Sequence, residues 1–474
     1  MSFLRTVLAG RPSGAEDDSL RGLIVQGATW ALLGRVAGAG GVMAVNVLLT
    51  RLLSPNDAGI YFLAFSMALL GSILAQSGLP ATIVRIIPEA MSLRQPRRAK
   101  LALYKASVMS CVCALTVGVL LAVSSPTMMR LVAHSPQRVS VAALVGAWAA
   151  FLSLQEFCAR AFQAFYDIAR SSLFSGVASN LVCAVALTLV WLHQGRCSLA
   201  TALALSVLSS AGTTLIAAAL VRQHATKLAG DKGSVSSNEI ISRAWPILCT
   251  SLSYELFNQS DLWIIGASRS SREIAVYGAA WRLVTLVAVP LSVVNAFVSP
   301  LIAEFYTKRR LSDLERGLRA TATVAGLPAL VVLLVFMGSG RIVLEHLYGP
   351  FYRSGALVLV LLSLGQCVNV WAGSCGLTLI MTGHQRMAMN ITLANGVARV
   401  ALAIVLVSKV GIEGVALAAA LGIALQNLLL VVAAKLALGI WTHFDVGHFA
   451  NLYSEINLMQ QSARRARLAP DQNQ

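Results

Sequence analysis

Residues 413–438 read EGVALAAALGIALQNLLLVVAAKLAL, and between Glu413 and Lys435 no side chain is charged. A helix rises about 1.5 Å per residue, so roughly 20 such residues cross about 30 Å of hydrocarbon. Similar blocks precede this one, over about 24–50, 57–87, 101–125, 139–163, 168–193, 198–221, 242–267, 273–303, 317–338, 354–382 and 387–408. They are too long and too numerous for the core helices of a soluble domain. The pattern predicts an all-α polytopic membrane protein with about 12 transmembrane helices.

Composition agrees. Hydrophobic residues make up 57% of the 474 and charged residues 12%, about half the charged share of a soluble domain. Formal charge is +17, from 37 Lys and Arg against 20 Asp and Glu. In a membrane protein that excess belongs to loops retained in the cytoplasm. No RNP-like, zinc-finger or helix-turn-helix pattern accompanies it, so nucleic acid is not an expected partner. The eight Cys form no CxxC and lie mostly in apolar runs, and the seven His form no HExxH. Metal sites, disulfides and resident cofactors are therefore not expected. Phe3, Leu4, Val7 and Leu8 lead into Arg11 and Glu16-Asp17-Asp18 where a small-residue cleavage site belongs. The first span, not a cleaved leader, is expected to direct insertion.

Basic residues cluster in alternate loops: Arg94, Arg97, Arg98 and Lys100 after the second span, Arg222, Lys227 and Lys232 after the sixth, Lys308, Arg309, Arg310 and Arg316 after the eighth. With Arg464, Arg465 and Arg467 near the end, this places both termini in the cytoplasm. The chain also reads as duplicated. Trp30 and Trp245, and likewise Glu89 and Glu304, are 215 residues apart, while Tyr61 and Tyr277 are 216 apart. Gly176-Val177-Ala178 faces Gly396-Val397-Ala398 at similar spacing. Six crossings per copy is an even number, so the repeat is parallel and gives two six-helix lobes around a central cleft.

The expected segments are a cytoplasmic N-terminal segment (1–23), a first lobe (24–221, spans one to six), an interlobe cytoplasmic linker (222–241), a second lobe (242–438, spans seven to twelve) and a cytoplasmic tail (439–474). In the tail, Phe449, Leu452, Tyr453, Ile456 and Met459 repeat at helical spacing before Arg464 and Arg465. That fits an amphipathic helix on an anionic leaflet, with a plain solvated tail as the alternative.

Charge inside the spans points to function. An ionisable group at a helix centre costs about 2.5–3.5 kcal/mol on insertion scales, so it faces a polar interior or a partner. Arg35, Arg282 and Arg399 have no local partner: a structural ion pair to Glu255 or Asp261 is one reading, and an anionic headgroup is the other, because a guanidinium matches phosphate oxygens. Arg85 near a span end and Arg160 join them as candidates. Snorkelling to headgroups explains Arg85 and Arg51 equally well, and pairing with Glu156 four residues away explains Arg160. Tyr254, Glu255, Asn258 and Asp261 form a polar stripe on the seventh span. Glu255, Asn258 and Asp261 could take a coupling Na+ or a proton, driven by an ion gradient, or could simply hydrogen-bond the lobes together. Gly34 and Gly38 form a GxxxG for close helix packing, and Pro80, Pro290 and Pro328 are expected to bend their spans.

The run Gln26-Gly27-Ala28-Thr29-Trp30 followed by Leu49-Thr50-Arg51-Leu52-Leu53-Ser54-Pro55-Asn56-Asp57-Ala58-Gly59-Ile60-Tyr61 resembles the opening of the polysaccharide transporter family, the oligosaccharide flippases of the multidrug/oligosaccharidyl-lipid/polysaccharide exporter superfamily. Gly78-Leu79-Pro80-Ala81-Thr82-Ile83-Val84-Arg85 and Phe305-Tyr306-Thr307-Lys308-Arg309-Arg310 resemble it too. The resemblance implies a flippase, not an enzyme. Such a protein moves an undecaprenyl-diphosphate-linked oligosaccharide across a bacterial inner membrane for exopolysaccharide, capsule or O-antigen synthesis. A polysaccharide polymerase and a chain-length regulator are the implied protein partners, with membrane lipids around it. Twelve spans rather than fourteen separate it from the lipid II flippase branch. A cation-coupled multidrug exporter of the same superfamily and a membrane-embedded glycan polymerase or ligase stay open as alternatives.

Overall fold

The computed structural model describes residues 15–133, 139–226 and 233–445, and all regular structure among them is helical. In the first half, α1 (Ala15–Leu52) turns into α2 (Pro55–Gln76), which breaks at Ser77 and Gly78 before α3 (Leu79–Ser92). Then come α4 (Pro96–Ala133), α5 (Val139–Ala164), and a fifth span built from short α6 (Ile168–Ser172), a π turn (Leu173–Val177) and α7 (Ala178–Gln194); α8 (Leu199–Thr226) ends the half. In the second half, α9 (Ser237–Ser268) is followed by α10 (Ser271–Val287), α11 (Val289–Thr307) and α12 (Leu311–Tyr348). A 3-10 turn (Pro350–Gly355) opens α13 (Ala356–Ala372), and α14 (Cys375–Met381), α15 (Gln385–Val410) and α16 (Ile412–Leu438) complete the chain.

Ten of these segments are long and apolar enough to cross a membrane, and α10 with α11 forms an eleventh, bent by 42°. α9, at 32 residues, is about 48 Å long and sits where the seventh span is expected. Its polar stripe is what keeps it below the apolarity of the others. The chain is thus a multi-pass membrane protein. Pro290 stands at the start of α11 beside the 42° bend, and Pro80 starts α3 after the Gly78 break. Pro328 behaves differently: the non-helical residue inside α12 is Ser339, eleven positions later.

The two halves meet at counterpart residues. A Cβ on Gly59 would lie 1.8 Å from the Ser271 carbonyl oxygen and 3.3 Å from the Ala275 nitrogen. A Cβ on Gly278 would lie 2.6 Å from the Phe62 ring. Gly59 and Ala275, like Phe62 and Gly278, stand 216 residues apart, the spacing of Tyr61 and Tyr277. A residue touching its own counterpart is what a two-fold relation produces on its axis. The helix starts repeat as well. Ser54 caps α2 and accepts from the Asp57 amide at 3.2 Å, while the Ser270 amide before α10 donates to Glu273 at 3.0 Å. With no room between backbones, Gly59→Val is expected to destabilise by about 1–3 kcal/mol through overpacking, read as a lower melting temperature of the detergent-purified protein.

Other glycines also set spacing. Gly34 lies against Ser172 and Gly38 against Val177, so the GxxxG packs α1 onto the fifth span. Charge ties the Arg98 end of the bundle together: Glu89 accepts from Arg243 at 2.8 Å, and Glu239 accepts from Arg98 at 2.7 Å and pairs with Arg243 at 3.0 Å. At the opposite end Arg51 caps α12, its Nε donating to the Leu347 carbonyl at 2.9 Å and a second nitrogen to that of His346. That contact, rather than headgroup snorkelling, accounts for Arg51.

Two sequence boundaries shift. Helices α8 and α9 run into the expected linker 222–241, leaving 233–236 as its described non-helical part. The expected tail 439–474 begins inside the protein: Ile440 and Thr442 are buried, the Phe444 amide donates to Trp371 and the Thr442 hydroxyl to Ala372. Those carbonyls lose their helical partners where α13 breaks before α14, and the segment supplies replacements. The amphipathic stretch from Phe449 to Met459 lies outside the described residues.

Candidate functional site

A cavity of about 370 Å³ opens among α1, α2, α5, the broken fifth span, α8 and α10. Its first-half wall carries Asn46, Tyr61, Phe65, Ser72, Gln76, Trp148, Gln155 and Glu156, with Ser175, Ser179, Asn180, Ser206 and Ser210 adding hydroxyls and an amide. The second half contributes Arg282. The fifth span makes this wall possible because its backbone leaves the helical region at Ser175 (ψ 24) and Gly176 (φ 116). A positive φ of that size suits glycine, and a broken helix at membrane depth is tolerated where it lines a cavity. Gln155 stabilises the break by donating to the Phe174 carbonyl at 3.1 Å and the Ser179 hydroxyl at 3.0 Å. The matching Gly396 stretch, by contrast, sits in unbroken α15 with Phe257 packed on the glycine.

Arg282 is the cavity's uncompensated charge. Its guanidinium lies 3.8 Å from the Phe62 ring centroid and donates to the Gly278 carbonyl at 3.0 Å. None of the described carboxylates pairs with it. Gly278 makes room for both groups, since a Cβ there would also approach Arg282 Nη1 at 3.1 Å. The other charged lining residue, Glu156, is neutralised by Arg160, whose Nε donates to it at 2.6 Å and whose Nη1 donates to Gln163 at 2.9 Å. Arg160 is therefore the partner of a lining residue rather than itself part of the wall.

The remaining sequence candidates lie elsewhere. Arg35 is exposed and donates to the Ser292 carbonyl, stitching α1 to α11 outside the cavity. Arg85 is exposed on α3, away from the cavity lining and without a partner among the described residues. Arg399, 8% exposed, donates to Asp261, 2% exposed, and Tyr277 donates to the same carboxylate oxygen at 2.6 Å. Asp261 and Arg399 thus neutralise each other instead of serving as an open cation site and an open anion site, while Asp261 Oδ1 and Arg399 Nε stay buried without a hydrogen-bond partner among the described residues. The reason is burial: neither charge is stable there without the other. Glu255 accepts from Gln259 at 2.6 Å, and Asn258 lies half-buried beside it on α9. Among the described residues, no cluster of three His, Cys, Asp or Glu could hold a metal ion.

Sequence reading passed over Trp148, Gln155 and the Gly176 break. Trp148, Leu152 and Gln155 recur at four and three residues, a stripe hidden by its otherwise apolar neighbours.

The family model described as "Polysaccharide biosynthesis protein" matches residues 24–306. The chain belongs to this family. It is thus a member of the polysaccharide transporter family, and its helices match solved transporters of the MOP superfamily. An inward-facing multidrug resistance MATE family transporter aligns with a TM-score of 0.65 at 16% identity, over 87% of this chain and 98% of that one. The lipid II flippase MurJ, in an inward closed conformation, aligns at 0.65 and 12% identity over 94% of each chain. A MOP superfamily transporter from Pyrococcus furiosus, described by the reverse polarity of its binding pocket, aligns at 0.62 and 16% identity, over 88% of this chain and 95% of that one. These likenesses define the fold. No curated protein sequence matches the chain.

Proposed function

We propose that this family member is a flippase that carries an undecaprenyl-diphosphate-linked oligosaccharide across the bacterial inner membrane, without catalysing a covalent step. The observation that carries the reading is Arg282, a guanidinium with no carboxylate partner among the described residues, facing a cavity whose other lining residues are hydroxyls, amides, aromatics, aliphatic side chains and the Arg160-paired Glu156. Diphosphate and sugar crossing bare hydrocarbon would lose their hydrogen bonds to water at several kcal/mol per group, so a polar route is required. Arg282 meets the diphosphate, the polar side chains of the wall meet the sugars, and the lipid tail stays in the bilayer. Two six-helix lobes, 24–221 and 242–438, rock about the Gly59 and Gly278 contacts to expose the cavity to each side in turn, with both termini in the cytoplasm.

The multidrug alternative is disfavoured because a cationic drug needs a free acid, and the one carboxylate on the described wall, Glu156, is already paired with Arg160. Coupling to a Na+ or H+ gradient, and handover to a polymerase with its chain-length regulator, belong to the same reading. Deletion of the gene is expected to leave lipid-linked oligosaccharide on the cytoplasmic leaflet, measured by its protection from an external glycosidase in intact spheroplasts. Unpolymerised oligosaccharide accumulating on the outer side instead would assign the chain to polymerisation or ligation.

A further inference from the structure

The α5 face that lines the cavity carries Trp148, Gln155 and Glu156, two helical turns from end to end. The Trp148 ring packs against Tyr61 and Phe65 of α2, with centroids 5.6 Å and 5.1 Å away. Gln155 is oriented by its own bonds: the Phe174 carbonyl can only accept, so the amide nitrogen faces it and Oε1 is left as an acceptor. That oxygen is buried and has no hydrogen-bond partner among the described residues. Glu156 gives Oε1 to Arg160, and its Oε2 accepts from no described residue.

We infer that this face is the saccharide subsite of the cavity, reading the sugar beside the phosphate while Arg282 takes the phosphate itself; the inference rests on the flippase reading above. A pyranose has an apolar C–H face and a rim of hydroxyl donors. An amphipathic aromatic suits the first, and two orphan acceptor oxygens suit the second. A carboxylate accepts more strongly than a neutral oxygen, so Glu156 anchors the rim. Because both side chains offer acceptors and one is anionic, the subsite takes a neutral sugar and rejects a uronic acid. Arg160 is a positioning residue: it holds the carboxylate in place and stays out of contact with the ligand.

The test uses the full chain in lipid nanodiscs and three probes. They are lipid-linked oligosaccharide extracted from a strain lacking the gene, the phosphate-free oligosaccharide released from it by mild acid, and inorganic pyrophosphate. Glu156→Gln and Gln155→Met are expected to weaken binding of the free oligosaccharide at least about tenfold, the loss of one good hydrogen bond, while pyrophosphate binding is unchanged in Gln155→Met and no weaker in Glu156→Gln, which removes a negative charge from the wall. Arg282→Ala is expected to do the reverse. Retained pyrophosphate binding also reports that each variant is folded, and the isosteric Glu156→Gln guards against a collapse of the Gln155 contact. Free oligosaccharide that binds both α5 variants as it binds the parent protein overturns the subsite and leaves the flippase reading standing. Failure of the parent protein to bind the lipid-linked probe at all brings down the flippase reading, and the subsite with it.

Discussion

Replacing Arg282 by alanine is expected to lower lipid-linked oligosaccharide transport by about 100-fold or more, with normal amounts of protein in the membrane. A guanidinium makes two parallel charge-assisted hydrogen bonds to a phosphate, each worth about 1.5–3 kcal/mol, and 1.4 kcal/mol is a factor of ten. The cost of losing the cation is not shared, because among the described residues no other unpaired charge lines the cavity. Arg282→Lys should fall between, keeping charge but losing the planar fork. Arg35→Ala is expected to cost less than about tenfold, since that side chain bonds the Ser292 carbonyl away from the cavity. Transport by each variant, measured against membrane abundance on the same samples, checks the order. An Arg35 variant more defective than the Arg282 variant would relocate the anion site to the α1–α11 seam.

The second large effect is on stability. Asp261→Ala is expected to destabilise the protein by about 3–5 kcal/mol, because it strands the Arg399 guanidinium in the interior. Tyr277 also loses the acceptor of its hydroxyl. Pairing the change with Arg399→Met should restore most of the loss, since replacing both members of a buried pair by apolar groups is often close to neutral. Thermal melting of the single and double variants reads both outcomes. Transport separates two roles for the pair. A double variant that is stable and still transports makes it a structural link between α9 and α15. A stable double variant that no longer transports makes Asp261 part of the working cycle.

Most of the scaffold was legible because bilayer physics writes it in large letters. Twenty apolar residues in a row have few alternatives in water or lipid, and the 216-residue spacing of Tyr61 and Tyr277 recurs in the Gly59–Ala275 and Phe62–Gly278 contacts. The seventh span was the exception: its polar stripe lowers its hydropathy while packing against neighbours maintains the helix. The site was legible only in part. Intramembrane arginines are easy to find, but sequence cannot tell which carboxylate a guanidinium will meet after folding. Arg399 found Asp261 across 138 positions, whereas Arg282 found only the Phe62 ring and a backbone carbonyl. Gln155 and Trp148 were silent because nothing local distinguishes a cavity-facing amide from a core one. The buried Ile440–Thr442 segment was hidden for a similar reason, since its partners are carbonyls freed by a helix break 70 positions earlier.

The central feature is a cationic route for a lipid-linked sugar. Its most direct test is purified protein reconstituted into liposomes loaded asymmetrically with lipid-linked oligosaccharide, with glycosidase accessibility followed over time. The parent protein is expected to move the sugar to the far leaflet, and Arg282→Ala, equally folded and equally incorporated, is expected not to. Equal transport by the two proteins, or none by the parent protein while a cationic dye is exported, would contradict it.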